Sequence, residues 1–155
     1  MSSSRFTGQG PAFVPAYQVS GVPYVTSSAA NELAGGSSTP VKVTFPGVTR
    51  WVQVRNNGNK SLRVGFTELG VLGNDRPSGN ERTNNYYLLN PSDGGSGHGV
   101  GATQRWEVRC TEMYFLCHAT VGSDRTGFCV TAGLTGIKPG EFPVVTGSAG
   151  FAGVG

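Results

Sequence analysis

Charge is what this chain has least of. Asp, Glu, Lys and Arg make up 14% of its 155 residues, where ~25% is usual for a soluble domain. So thin a charge leaves little solvated surface to hold neighbours apart, and much of the surface is expected to contact other protein. Net charge is +3, but no run of Lys or Arg occurs. Arg50, Arg55, Lys60, Arg63, Arg76 and Arg82 are interleaved with Glu68, Asp75 and Glu81. Recognition of nucleic acid needs a dense basic stripe, so no sequence-specific nucleic-acid partner is expected. Long hydrophobic runs are missing too. No stretch approaches the ~20 apolar residues of a membrane span.

Cysteine and histidine are scarce. Cys110, Cys117 and Cys129 are an odd number, which argues against a disulfide framework. The segment Met1-Ser2-Ser3-Ser4-Arg5 has no apolar signal region. The expectation is a soluble protein made in a reducing compartment, with Asn59-Lys60-Ser61 as turn sequence rather than a glycosylation site. A zinc site from Cys110, Cys117, His118 and Cys129 lacks the paired ligands, two to four residues apart, that structural zinc prefers. Cys110 and Cys117 read instead as buried thiols. His98 and His118 are the only histidines, too few for a cupin-type metal centre. Ser96 near His98 has no third group to orient it. Glu107 is flanked by Arg105 and Arg109, which hold it ionised. The run Gly94–Gly101 fails as a phosphate loop because a strand, not a helix, follows it. No catalytic residue, metal or cofactor is expected, and the chain does not read as an enzyme.

Helical spacing is likewise absent, so any helix should be a single turn, placed at Ala29–Leu33. Turn chemistry is abundant, with 25 glycines and nine prolines. Between the turns lie eight strand-like runs: Val22–Ser27, Val41–Phe45, Val48–Asn56, Leu62–Thr67, Asn84–Leu89, Arg105–Cys110, Met113–Thr120 and Thr126–Leu134. Val52 and Val54 lie on one face of their strand, and Trp51, Gln53 and Arg55 on the other. Asn56–Lys60 reads as a hairpin turn with positive φ angles, pairing Arg50–Asn56 with Leu62–Thr67. Tyr86–Leu89 and Met113–Thr120 are apolar on both faces and read as covered strands. Ala34–Thr39, Glu68–Thr83 and Asn90–Thr103 are loops. Eight antiparallel strands in one domain predict an all-β, eight-stranded antiparallel single jelly-roll sandwich, although strand patterns alone do not separate it from other sandwiches. The domain is expected over residues 21–137. Residues 1–20 form an extended N-terminal arm and residues 138–155 a flexible Gly-rich C-terminal tail.

Three segments carry a resemblance. They are Val48-Thr49-Arg50-Trp51-Val52-Gln53-Val54-Arg55-Asn56, then Ser61-Leu62-Arg63-Val64-Gly65-Phe66-Thr67-Glu68-Leu69-Gly70-Val71, then Arg105-Trp106-Glu107-Val108-Arg109-Cys110-Thr111-Glu112-Met113-Tyr114-Phe115 with Ala132-Gly133-Leu134-Thr135-Gly136-Ile137. Across residues 22–137 the chain resembles the single jelly-roll penton proteins of large icosahedral nucleocytoplasmic DNA viruses. In that family a Leu-Arg-Val-Gly-Phe-Ser strand and an Ala-Gly-Leu-Thr-Gly-Ile ending recur. Here Thr67 replaces the serine, and Thr111 stands where a basic residue is common. The resemblance implies a capsid protein of the virion, assembled in the host cytoplasm. It would form a homopentamer at each fivefold vertex, beside double jelly-roll major capsid proteins and minor capsid proteins.

Other functions fit the same pattern. One is a carbohydrate- or receptor-binding β-sandwich of a viral appendage, and another is a minor capsid (cement) protein. Trp51, Arg55, Arg76, Tyr86, Tyr87, Phe13 and Tyr17 are the residue types that interfaces favour, and they are the candidate contact residues.

Overall fold

The structure, a computed structural model, describes residues 21–28, 32–73, 84–91 and 102–143. It is mostly β, with antiparallel sheets stacked as a sandwich. The strands in chain order are β1 (Val22–Ser27), β2 (Leu33–Ala34), β3 (Val41–Thr44), β4 (Thr49–Asn56), β5 (Leu62–Gly65), β6 (Tyr87–Leu89), β7 (Thr103–Trp106), β8 (Glu112–Cys117), β9 (Arg125–Thr126) and β10 (Phe128–Leu134). A short helix, α1 (Glu68–Leu72), follows β5, and a 3-10 turn spans Pro139–Glu141. One four-stranded sheet runs β1-β10-β4-β7 and the other β3-β8-β5-β6, while β2 and β9 form a two-stranded pair.

Alternation builds the core. Opposed residues on antiparallel strands share a face, so Val52 and Val54 line up with Ala132 and Val130. In the other sheet Leu62 and Val64 line up with Cys117 and Phe115. These inward faces meet between the sheets in one buried cluster that also holds Val43, Phe45, Met113, Phe128 and Leu134. Phe115 of one sheet stacks on Phe128 of the other, with ring centroids 4.1 Å apart.

Several sequence expectations are overturned. The expected hairpin does not form: β4 pairs with β10 and β7, while β5 pairs with β8 and β6, so Asn56–Lys60 crosses from one sheet to the other. Gly58 is needed for close approach rather than for positive φ, since a Cβ there would lie 2.4 Å from the Cα of Thr126. Among the described glycines only Gly36 and Gly73 have positive φ. The Tyr86–Leu89 run is not covered on both faces, because β6 is an edge strand on which Tyr87 and Leu88 are exposed. In sequence, Leu62, Val64 and Phe66 alternate with Ser61, Arg63 and Thr67, which reads as a strand with one wet face, but Arg63 is buried beneath α1. The one α-helix among the described residues lies at Glu68–Leu72, inside an expected loop, and not at Ala29–Leu33, where Leu33 belongs to β2 and residues 29–31 lie outside the described segments.

Strand Arg105–Cys110 also shifts. β7 ends at Trp106, and the chain then leaves one sheet for the other. Thr49 fastens that corner: its hydroxyl donates to the Val108 carbonyl at 2.7 Å and accepts from the Cys110 N–H at 3.0 Å. Thr49 turns inward despite sharing strand parity with Trp51, because the register between β4 and β10 slips at Gly133/Leu134. The last expected strand is divided into β9 and β10 on either side of Gly127.

Candidate functional site

The candidate contact residues fall in separate places. Trp51 and Arg55 lie on the outer face of the β1-β10-β4-β7 sheet. One rung there reads Val25, Thr131, Gln53, Arg105 and the next Ser27, Cys129, Arg55, Thr103. Arg55 is exposed and Trp51 half-buried. The Arg105 guanidinium stands over the Trp51 ring, 4.3 Å from its centroid. Glu107 fixes that guanidinium from the side, accepting from Arg105 Nε at 3.1 Å and Nη2 at 2.9 Å. Arg50 approaches the same carboxylate at 3.8 Å. Glu107 is therefore held by Arg105 and Arg50 in the described geometry. One face of Trp51 is already occupied by the protein's own cation.

Tyr86 and Tyr87, adjacent in sequence, serve different layers. Tyr86 packs on the outer face of the second sheet, against the cluster of Val71, Leu72, Tyr114 and Leu116. Arg63 lies over its ring at 4.8 Å. Arg63 also donates through Nη1 to the Leu72 carbonyl at 3.1 Å and through Nε to His118 Nδ1 at 3.0 Å. That bond uses the Nδ1 lone pair of His118, so the imidazole serves as a brace for Arg63. Tyr87 turns the other way. Its ring meets the edge of Trp106 on β7 at 5.4 Å, closing the gap between the two sheets at the β6/β7 edge. Half of Tyr87 remains exposed.

The other candidates lie outside the described residues: Phe13, Tyr17, Arg76 and, in the serine–histidine reading, Ser96 and His98. Cys110 and Cys117 are buried free thiols. Burial pushes the Cys110 thiol up to about 11, against a weaker downward pull from its hydrogen bond with Thr49. Among the described residues no three His, Cys, Asp or Glu side chains come close enough to hold a metal ion. No helix there is long and apolar enough to cross a membrane.

Sequence reading missed the exposed aliphatics. Val22 and Val25 on β1, Val41 on β3 and Leu88 on β6 are all exposed, with Val25 the most open at 67%. The sequence holds half of the signal: β1 and β6 contain no charged residue at all, which stands out only once the fold makes them edges, since edge strands ordinarily carry charge to discourage pairing. The arrangement supplies contact surface, with cationic and aromatic groups pre-stacked on one another. Comparison of the chain with known protein families, curated proteins and solved structures returns no match.

Proposed function

We propose that this chain is a structural capsid protein, a single jelly roll that assembles as the pentameric capsomer at the fivefold vertices of an icosahedral DNA-virus shell. The observation that carries the reading is strand order. Among the eight strands of the two large sheets, counted along the chain, one sheet runs first-eighth-third-sixth and the other second-seventh-fourth-fifth. Nested pairing of first with eighth and second with seventh is the order a jelly roll requires. The three segments resembling penton proteins fall on β4, β5 with α1, and β7 through β8 with the end of β10. The low charge of the chain, 14%, suits a subunit with large lateral contacts.

In this reading the protein works by assembly. Burial of apolar edge surface across five equivalent head-to-tail interfaces drives closure of the ring. Major capsid proteins, and minor capsid proteins where present, surround it in the virion. No catalytic step or cofactor enters. The carbohydrate-binding alternative needs free aromatic faces, and the protein already uses one face of Trp51 for Arg105, packs Tyr86 under Arg63 and sets Tyr87 against Trp106.

The test is solution mass by light scattering across a concentration series. A mass five times that of the chain is expected. A trimer would overturn the vertex assignment in favour of an appendage or cement protein. A chain that stays monomeric at every concentration and binds on a glycan array would replace it with the carbohydrate-binding reading.

A further inference from the structure

The exposed large hydrophobic residues are not scattered. Val22, Val25 and Val41 lie on β1 and β3, and Tyr87 and Leu88 on β6; of the exposed set among the described residues, only Val121 lies off the edge strands. Among the described strands each of β1, β3 and β6 ends its sheet. β1 stacks over the end of β3 through the edge-on contact of Tyr24 with Phe45, the residue after that strand, at 5.2 Å. β6 stacks with β7 through Tyr87 and Trp106. The two apolar groups thus occupy opposite edges of the sandwich.

Protection against edge pairing differs between the four end strands. β3 carries Lys42, ion-paired with Glu112 on β8, and β7 carries Arg105, bound to Glu107 at 2.9 Å. β1 (VPYVTS) and β6 (YLL) carry no charge, and Pro23 is the single pairing-averse residue on either. An uncharged, apolar edge is a liability unless something covers it. Two such edges, unlike each other and on opposite sides, meet one another in a heterologous contact rather than a twofold one. They match the requirement of a head-to-tail ring, in which each copy offers one edge forward and the other behind.

We infer that the β1 edge of one copy, centred on Val22 and Val25, docks against the β6 edge of a second copy of this chain, centred on Tyr87 and Leu88. The inference rests on the capsomer reading above and assigns its interface. Neither strand contributes a charge that the other must neutralise, and Lys42 and Arg105 beside them are already paired with carboxylates of their own copy. Arg105 and Glu107, beside Trp106, then lie at the rim, where polar groups of an interface remain wet.

The experiment is cross-linking in a Cys129→Ser background, since the other thiols are buried. Val25→Cys and Leu88→Cys chains, alone and mixed, are treated with a short bis-maleimide; Val22→Cys with Tyr87→Cys forms a second pair. A mixed dimer is expected in either pair, with little product from any variant alone. A single chain carrying both Val25→Cys and Leu88→Cys should give a ladder that stops at five. Failure of both mixed pairs, or efficient linkage of one variant to itself, overturns the edge assignment, even where the unmodified protein has pentameric mass. Mixed dimers accompanied by a ladder that stops elsewhere would keep the edges and discard the pentamer.

Discussion

The side-chain amide of Asn56 ends β4 with both of its functional groups engaged. Its Nδ2 donates toward the carbonyls of Lys60 at 2.8 Å, Leu89 at 3.1 Å and Asn90 at 3.2 Å. Its Oδ1 accepts from the Gly58 N–H and the Thr126 hydroxyl, both at 2.9 Å. One buried side chain thereby ties together the crossover, the end of β6 and the end of β9. In sequence, Asn56 looks like turn chemistry, because asparagine beside Asn57-Gly58 is what a hairpin uses. Nothing local distinguishes an asparagine that bends the chain from one that fastens three segments distant in sequence. Asn56→Asp sets a carboxylate against three carbonyls and should cost about 4 kcal/mol of unfolding free energy, read by urea denaturation. A loss below about 1 kcal/mol would mean the knot contributes little beyond solvation. Thr49→Val strands the Cys110 N–H and the Val108 carbonyl and should cost about 2 kcal/mol in the same assay.

Cys110 makes a prediction about pH. Its thiol rises from 9.0 to about 11 chiefly through burial, so the folded protein favours the neutral form. The stability this represents is fully present below about pH 9 and is lost as pH climbs toward about 11. Tyr114, raised by burial and then by its bond to Glu112, and Lys42, raised by its bond to Glu112, act in the same direction. Unfolding free energy should therefore be flat near neutrality and fall on the alkaline side. Cys110→Ala should start lower, having lost packing, yet fall less steeply between about pH 9 and 11. An unchanged alkaline slope would assign the fall to the other two groups.

Among the elements, α1 shows most clearly why local reading stops short. Five residues with two glycines nearby carry no helical periodicity. The helix exists because its surroundings complete it. The Thr67 hydroxyl caps its start, accepting from the Gly70 N–H at 3.0 Å. Arg63 reaches the carbonyls of Val71 and Leu72 at its end. Gly65 leaves the room beneath it, since a Cβ there would lie 2.4 Å from Val71 Cγ2. The strands, by contrast, were legible where one face is core and the other solvent, as in β4. They were misjudged where tertiary structure covers or exposes a face, as at Arg63 on β5 and Leu88 on β6. Thr67→Ala should cost about 1 kcal/mol. Arg63→Met should cost more, and should raise amide exchange at residues 68–72 well before it affects β8. Uniform acceleration of exchange across both sheets would mean that α1 has no separate stability.

At the scale of the whole molecule, the order of the sheets makes the last strand indispensable. β10 lies between β1 and β4, so Val22 at the start of the described body pairs with Leu134 near its end. It sends Phe128, Val130, Ala132 and Leu134 into the core. Until those residues are present, β1 has no partner, and Val52 and Val54 keep only Trp106 and Gln104 of β7 beside them. Such long-range pairing also explains why sequence yielded the β class more readily than the contact surface: strand patterns are local, while the identity of the edges depends on which distant strands pair. The pairing makes a length-dependent prediction. A chain ending at Gly127 should give no cooperative urea transition, because it lacks the centre of one sheet. A chain ending at Pro143 keeps β10 and also Phe142, which packs on Val48 and Ile137, and it should unfold cooperatively within about 1 kcal/mol of the full chain. A cooperative transition in the shorter chain would mean that the β3-β8-β5-β6 sheet with α1 folds as a unit of its own. β10 would then dock onto a preformed layer rather than complete the only one.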